Sequence, residues 1–100
     1  MAFPVNVAQA IPIWMAPWQA RIKDQKIVAN EYFDGGKTDI LEDGTKIWRN
    51  KSGQVHRIGS PAVEFKDGSK EWYVSGLAHR EDGPAIEWAD GTNRWFINGE

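Results

Sequence analysis

The sequence predicts an all-β fold: a repetitive antiparallel β-meander with an extended N-terminal arm. Three observations predict it. The chain copies itself, residues 53–75 returning as residues 76–98 with a period of 23 residues. Asp-Gly pairs fall at 43–44, 67–68 and 90–91, and Asp-Gly marks tight hairpins because Gly adopts φ > 0 at no steric cost and Asp tolerates it. Trp48, Trp72 and Trp95 return with the same steps of 24 and 23 residues, each in the segment after such a turn. A fixed period of this length is the mark of stacked supersecondary units.

Residues 1–19 form the arm. They carry no charged side chain, and Pro4, Pro12 and Pro17 interrupt them. No Lys or Arg precedes the apolar stretch, as a signal peptide needs, and no 18-residue helical span survives the prolines. An extended arm is the reading that remains, with Phe3, Val5, Val7, Ile11, Ile13, Trp14, Met15 and Trp18 as its apolar side chains.

Residues 20–36 read as a linker or first strand. The run at 26–33 favours a strand because Asp34-Gly35-Gly36 follows it as a turn signal. Residues 37–100 are the repeat domain. Within each unit, residues such as 62–66 and 69–74 form a hairpin around Asp67-Gly68. Residues 77–80 form a short strand between the Ser75-Gly76 and Glu81-Asp82-Gly83-Pro84 turns. Pro84 has no N–H and suits a strand start or turn.

Two registers stay open for the hairpin. A two-residue turn puts Val63 opposite Trp72, and a three-residue turn with a bulge at Gly68 puts Ala62 there. Both place Lys70, Trp72 and Val74 on one face and Glu71 and Tyr73 on the other. The Trp48, Trp72 and Trp95 row and the Leu41, Phe65 and Trp88 row are expected to fill the core, since large aromatics bury the most area.

Composition excludes several function classes. The chain has 12 Lys and Arg against 14 Asp and Glu, a net charge of −2, with no basic face of the kind nucleic acid requires. It has no cysteine, which removes disulfides, thiol catalysis and Cys-based metal sites and fits a reducing, cytoplasmic setting. The two histidines, His56 and His79, stand one period apart. Strands lie about 4.8 Å apart, so the rings are too distant to share one metal; they are expected to bond neighbouring turns. Arg57 and Arg80 are expected to pair with carboxylates of the adjacent turn, such as Glu81 or Asp82. Neither a calcium loop, a phosphate-cradling glycine loop nor a nucleophile elbow is present. The expectation is therefore no catalytic residue, no metal and no cofactor.

Residues 76–91, Gly-Leu-Ala-His-Arg-Glu-Asp-Gly-Pro-Ala-Ile-Glu-Trp-Ala-Asp-Gly, carry a family likeness. With the 23-residue step and the aromatic return strand, they resemble the MORN (membrane occupation and recognition nexus) class of repeats. They are more similar still to the "NG-x-x-HR-x-DGPA" repeats of tailed-phage and giant-virus proteins. The resemblance covers about residues 37–100. The unit at 53–75 departs from it at Ile58-Gly59-Ser60, where Glu-Asp-Gly is expected. The resemblance implies an elongated β-meander without catalytic residues, and scaffolding or lipid-contact roles.

The function expected from these readings is non-enzymatic protein binding by a viral, phage-type accessory protein, in a host cytoplasm or a virion, for example binding or inhibiting a host protein. A rigid sheet would present Tyr73, His79, Arg80, Arg94 and Phe96, and the arm would add Trp14 and Trp18 as anchors, because interface hot spots favour Trp. The turn at Asn98-Gly99 is where another unit would begin, so an open sheet edge is expected there, for strand addition or homo-oligomerisation. The alternatives are an assembly component whose arm threads into a neighbour, and an aromatic-cage module for choline or glycans.

Overall fold

The structure, a computed structural model, describes residues 17–100. Trp14 and the rest of the expected arm up to residue 16 lie outside the described residues. Residues 17–19 are not extended. They open a short helix, α1 (Pro17–Ile22). Proline is at home in the first position of a helix, where its missing N–H leaves no bond unmade. Trp18, buried at 7 % exposure, anchors the helix in the core. The helix stops at Lys23, which takes a left-handed φ of 52°.

Nine strands follow: β1 (Ile27–Phe33), β2 (Gly36–Leu41), β3 (Lys46–Asn50), β4 (Val63–Glu64), β5 (Lys70–Glu71), β6 (Tyr73–Val74), β7 (Leu77–Ala78), β8 (Ile86–Glu87) and β9 (Asn93–Arg94). Seven of them form one sheet in the order β1-β2-β3-β4-β5-β8-β9, and β6 with β7 forms a separate two-stranded ribbon. Every pairing is antiparallel. The chain is thus mostly β, built from hairpin-like strands.

The Asp-Gly turns share one geometry. Gly44 donates to the Leu41 carbonyl at 2.9 Å and Leu41 to the Thr45 carbonyl at 2.9 Å; the same two bonds join Gly68 to Phe65 and Phe65 to Ser69, and Gly91 to Trp88 and Trp88 to Thr92. The three glycines have φ of 93°, 92° and 94°, which is why glycine stands at each. The loop has three residues with the glycine as bulge, and it pairs Val63 with Glu71. That is the bulged one of the two registers open to the sequence. In each turn the aspartate carboxylate accepts a backbone N–H two residues on, at 2.9 Å, from Thr45, Ser69 and Thr92. These bonds, together with the hydroxyls of the same residues, hold the Asp43, Asp67 and Asp90 carboxyls below the usual aspartate value.

The segment at 69–74 is not one strand. It changes sheet at Trp72, whose N–H donates to the Ala85 carbonyl at 2.7 Å in the main sheet while its carbonyl accepts from His79 N at 3.1 Å. Trp48 makes the matching pair of bonds, donating to Ala62 O at 2.8 Å and accepting from His56 N at 2.9 Å, within β3. At each tryptophan the partner on that side changes to the His-Arg segment, and at Trp72 the chain also passes into the β6-β7 ribbon, whereas β3 stays in the main sheet through Asn50.

The core comprises Trp18, Leu41, Ile47, Val55, Ala62, Val63, Phe65 and Tyr73, with Ala85 and Ile86 also buried. Trp48, Trp72 and Trp88 are only half-buried, and Trp95 is 64 % exposed. The tryptophan row thus lines the core's margin instead of filling it. A polar interior sits at Asp39, 1 % exposed. It accepts from Asn30 Nδ2 at 2.6 Å and Arg49 Nε at 2.8 Å, with Lys37 Nζ at 3.3 Å, so one carboxylate ties β1, β2 and β3 together.

Gly36 at the start of β2 has no room for a side chain, because a Cβ there would run into the Arg49 backbone carbonyl on β3. Replacing Gly36 by Ala should destabilise the chain by about 1–3 kcal/mol through the forced backbone shift. Urea unfolding followed by circular dichroism measures it, and an unchanged midpoint would contradict the close approach of β2 to β3.

Candidate functional site

His79 and Arg80 are held by a closed set of contacts. His79 Nδ1 accepts from Asn98 N at 3.0 Å, and its Nε2 faces Glu81 Oε2 at 3.2 Å. Arg80 stacks its guanidinium on Trp72 at 3.8 Å, an arrangement worth about 0.5–2 kcal/mol. Its Nε donates to Asp82 Oδ1 at 3.0 Å, and its Nη1 donates to Pro84 O at 3.1 Å and Glu87 Oε2 at 3.0 Å. A Cβ on Gly83 would press on this guanidinium, so the glycine leaves space for the arginine.

Twenty-three residues earlier, the same pair makes part of this set. His56 Nδ1 accepts from Ser75 N at 2.9 Å. Arg57 stacks on Trp48 at 3.9 Å, and its Nη1 donates to Pro61 O at 3.2 Å and lies 3.5 Å from Glu64 Oε2. Ser75 and Asn98, which donate to the two histidines, have φ of 50° and 51° and are each followed by a left-handed glycine. The turn bonds expected for the histidines are therefore present in both places. The carboxylates are not: Ile58 and Gly59 occupy the positions of Glu81 and Asp82.

His56, Arg57 and Ile58 line a shallow cleft of about 430 Å³ together with Phe33, Asp34, Gly35, Trp48 and Arg49. Ile58 is 72 % exposed and Phe33 46 %. The cleft combines an aromatic and aliphatic wall with two guanidinium groups.

The second polar feature is Glu71 on β5, fully buried. It accepts from Tyr73 Oη at 2.8 Å and Trp88 Nε1 at 2.9 Å, and from the backbone N–H of Trp18. Burial raises its carboxyl above the usual glutamate value, and these donors oppose the rise. Tyr73 is pushed up as well, by burial and then by the neighbouring carboxylate. Arg21 lies over Phe65 at 3.9 Å and bonds Asp67 at 2.9 Å, closing this region from α1.

Comparison with family models, with curated proteins and with solved structures returns no match. The chemistry of the residues is what carries a functional reading. Among the described residues no group of three or more His, Asp or Glu is placed to hold a metal, and no helix is long and apolar enough to cross a membrane.

The structure separates the residues that the sequence reading puts on one presented face. Tyr73 is 2 % exposed and spends its hydroxyl on Glu71, because residue 73 points to the same side as buried residue 71. Trp18 is a core residue of α1, not a surface anchor. His79 and Arg80 are mostly covered and spend their polar atoms on the chain's own turns. Arg94 on β9 is exposed and Phe96 half-exposed, so these two lie at the far sheet edge. Trp14 is outside the described residues.

Sequence reasoning read the run at 26–33 as a strand but did not single it out as an exposed sheet edge. All seven of its residues are exposed, among them Ile27 at 50 %, Val28 at 62 % and Tyr32 at 78 %. The signal was available: the run Ile-Val-Ala-Asn-Glu-Tyr-Phe has strong strand propensity and precedes the repeated region, which places it at a sheet margin.

Stability should depend on pH through Glu71. A carboxyl raised in the folded state contributes its stability below about pH 4.5 and loses it as pH rises through the folded value. Asp43 and Asp67, held low, act the other way and lose theirs as pH falls below about 3.8. The melting temperature should therefore fall from mildly acidic to neutral pH, and Glu71→Gln should flatten that fall. Glu71→Ala, which orphans the Tyr73 hydroxyl and the Trp88 N–H, should cost about 1–3 kcal/mol. A wild-type melting curve that does not change between these pH values would refute a raised Glu71.

Proposed function

We propose that this chain is a non-enzymatic protein-binding protein, a viral accessory protein of the phage repeat type, that engages an extended segment of its partner along β1. The observation that carries this reading is the state of that strand. Among the described residues, β1 is an outer strand of the seven-stranded sheet, pairs only with β2, is exposed along its whole length, and displays Ile27, Val28, Tyr32 and Phe33. An open edge of this kind supplies main-chain hydrogen bonds for affinity and alternating side chains for specificity. Proteins usually blunt such an edge when nothing binds it. The 23-residue recurrence and its likeness to MORN-like repeats support a rigid scaffold behind the edge, and the lack of cysteine suits the cytoplasm of a host cell. An aromatic cage is the weaker reading, because Trp48 and Trp72 each have an arginine stacked on the ring.

The double variant Val28→Lys, Tyr32→Lys should keep the wild-type circular dichroism and melting temperature while weakening capture of the partner at least about tenfold, the effect of desolvating a charge in an apolar contact. Trp95→Lys, at the opposite margin, should leave capture unchanged. Photocrosslinking from position 32 identifies the bound segment. A partner retained by the double variant, or lost equally with Trp95→Lys, would exclude β1 as the docking edge.

A further inference from the structure

We infer that the cleft beside β3 is a binding site for a carboxylate carried on an apolar group. The argument starts from the two His-Arg pairs, which share a fold environment and differ in what neutralises them. In the later pair, Glu81 meets His79 Nε2 and Asp82 meets Arg80 Nε. In the earlier pair Ile58 and Gly59 stand in their places, so the chain supplies neither carboxylate.

Two donors are left over as a result. His56 Nδ1 accepts the Ser75 N–H, so the neutral ring carries its proton on Nε2. Among the described residues, that Nε2–H has no acceptor. Arg57 uses Nη1 alone, for Pro61 O and Glu64, and its Nε–H has none either. His56 and Arg57 are neighbours in sequence, and both line the same cleft. The stack on Trp48 at 3.9 Å fixes the guanidinium plane, so the Nε–H is directed without side-chain motion.

A carboxylate suits these donors because in the later pair each is met by a carboxylate, Glu81 at the histidine and Asp82 at the arginine, and such charge-assisted bonds are the stronger kind. The other walls decide the rest of the ligand. Phe33, Trp48 and Ile58 are apolar, and Ile58 and Phe33 are solvent-exposed in the free chain. Arg49 is already engaged by Asp39 Oδ2 at 2.8 Å and Gly53 O at 2.9 Å, so it adds charge more than a free donor. Asp34 at the cleft and Glu64 at 3.5 Å from Arg57 are the opposing carboxylates, and they set a modest affinity. The ligand is an aromatic or aliphatic group bearing one carboxylate. It comes either from a peptide with an acidic side chain next to an apolar one or from a free organic acid. This inference does not rest on strand addition at β1.

The test is two-dimensional NMR of the full chain, following the Arg57 and Arg80 Nε–H, the His56 and His79 rings and the Trp48 indole. Phenylacetate is one arm, an acetylated and amidated Phe-Glu peptide the second, and inorganic phosphate the third. Saturable shifts at Arg57, His56 and Trp48 with either carboxylate, and none at Arg80 or His79, are expected; the tighter arm names the source. Ile58→Glu, which restores an internal carboxylate at an exposed position, should weaken binding about tenfold, the loss of one charge-assisted bond. Ile58→Ala should weaken it far less, and Asp34→Asn should tighten it. No saturable shift with either carboxylate at millimolar concentration, a response to phosphate alone, equal shifts at Arg80, or full binding by Ile58→Glu would each overturn the assignment.

Discussion

The arrangement depends on one buried carboxylate. Glu71 lies in the interior and, among the described residues, forms no ion pair; what makes this tolerable is the number of donors brought to it. Tyr73 supplies a hydroxyl from its own hairpin, Trp88 an indole N–H from the next one, and Trp18 a backbone N–H from α1. A buried charge without such partners would cost several kcal/mol. The carboxylate therefore constrains three segments at once: the helix, the β4-β5 hairpin and the β8-β9 hairpin must all be in place before its acceptors are filled. Asp39 plays the same part for β1, β2 and β3. With a core of small extent, these polar hubs supply specificity of arrangement where apolar area is limited.

Around the hubs, short hairpins are joined by a second set of contacts. Trp72 hands the backbone from the main sheet to the β6-β7 ribbon, Trp48 bonds the earlier His-Arg segment from within β3, and Arg57 and Arg80 lie on the two indoles. The strands of this region are only two residues long, too short to hold a sheet by ladder bonds alone. Turn bonds, arginine stacking and the histidine contacts to Ser75 and Asn98 make up the difference. The same framework is varied locally: where the later copy closes its arginine with Asp82, the earlier one leaves an open apolar wall at Ile58. A scaffold held mainly by backbone and turn chemistry can accept such changes on its surface without losing its shape.

Much of this was legible in the chain itself. The Asp-Gly pairs mark their hairpins because only glycine reaches φ near 93° without strain. The recurrence of His-Arg states that the two sites share a local structure, and the departure at Ile58-Gly59-Ser60 states where they differ. The run at 26–33 reads as a strand before Asp34-Gly35-Gly36, and Ile27–Phe33 is that strand. These are local properties, set by the φ a residue can take and by the alternation of side chains along a strand.

Burial and partnership were decided only in three dimensions. Nothing local distinguishes Glu71 from Glu64 or Glu87, yet Glu71 is the one that helix α1 covers. Tyr73 follows it into the interior because two residues along a strand face the same way. Pro17 looks like a breaker until its position at the head of a helix is known. The hairpin register was open until the bulge at Gly68 was seen. β1 became an exposed edge only once β2 turned towards β3. The sequence by itself determined where the chain turns and which segments are alike, because turn chemistry and periodicity need no distant partner. Which polar groups are spent inside and which are left for a ligand was settled by tertiary packing, because a donor is free or satisfied only according to what the rest of the chain places against it.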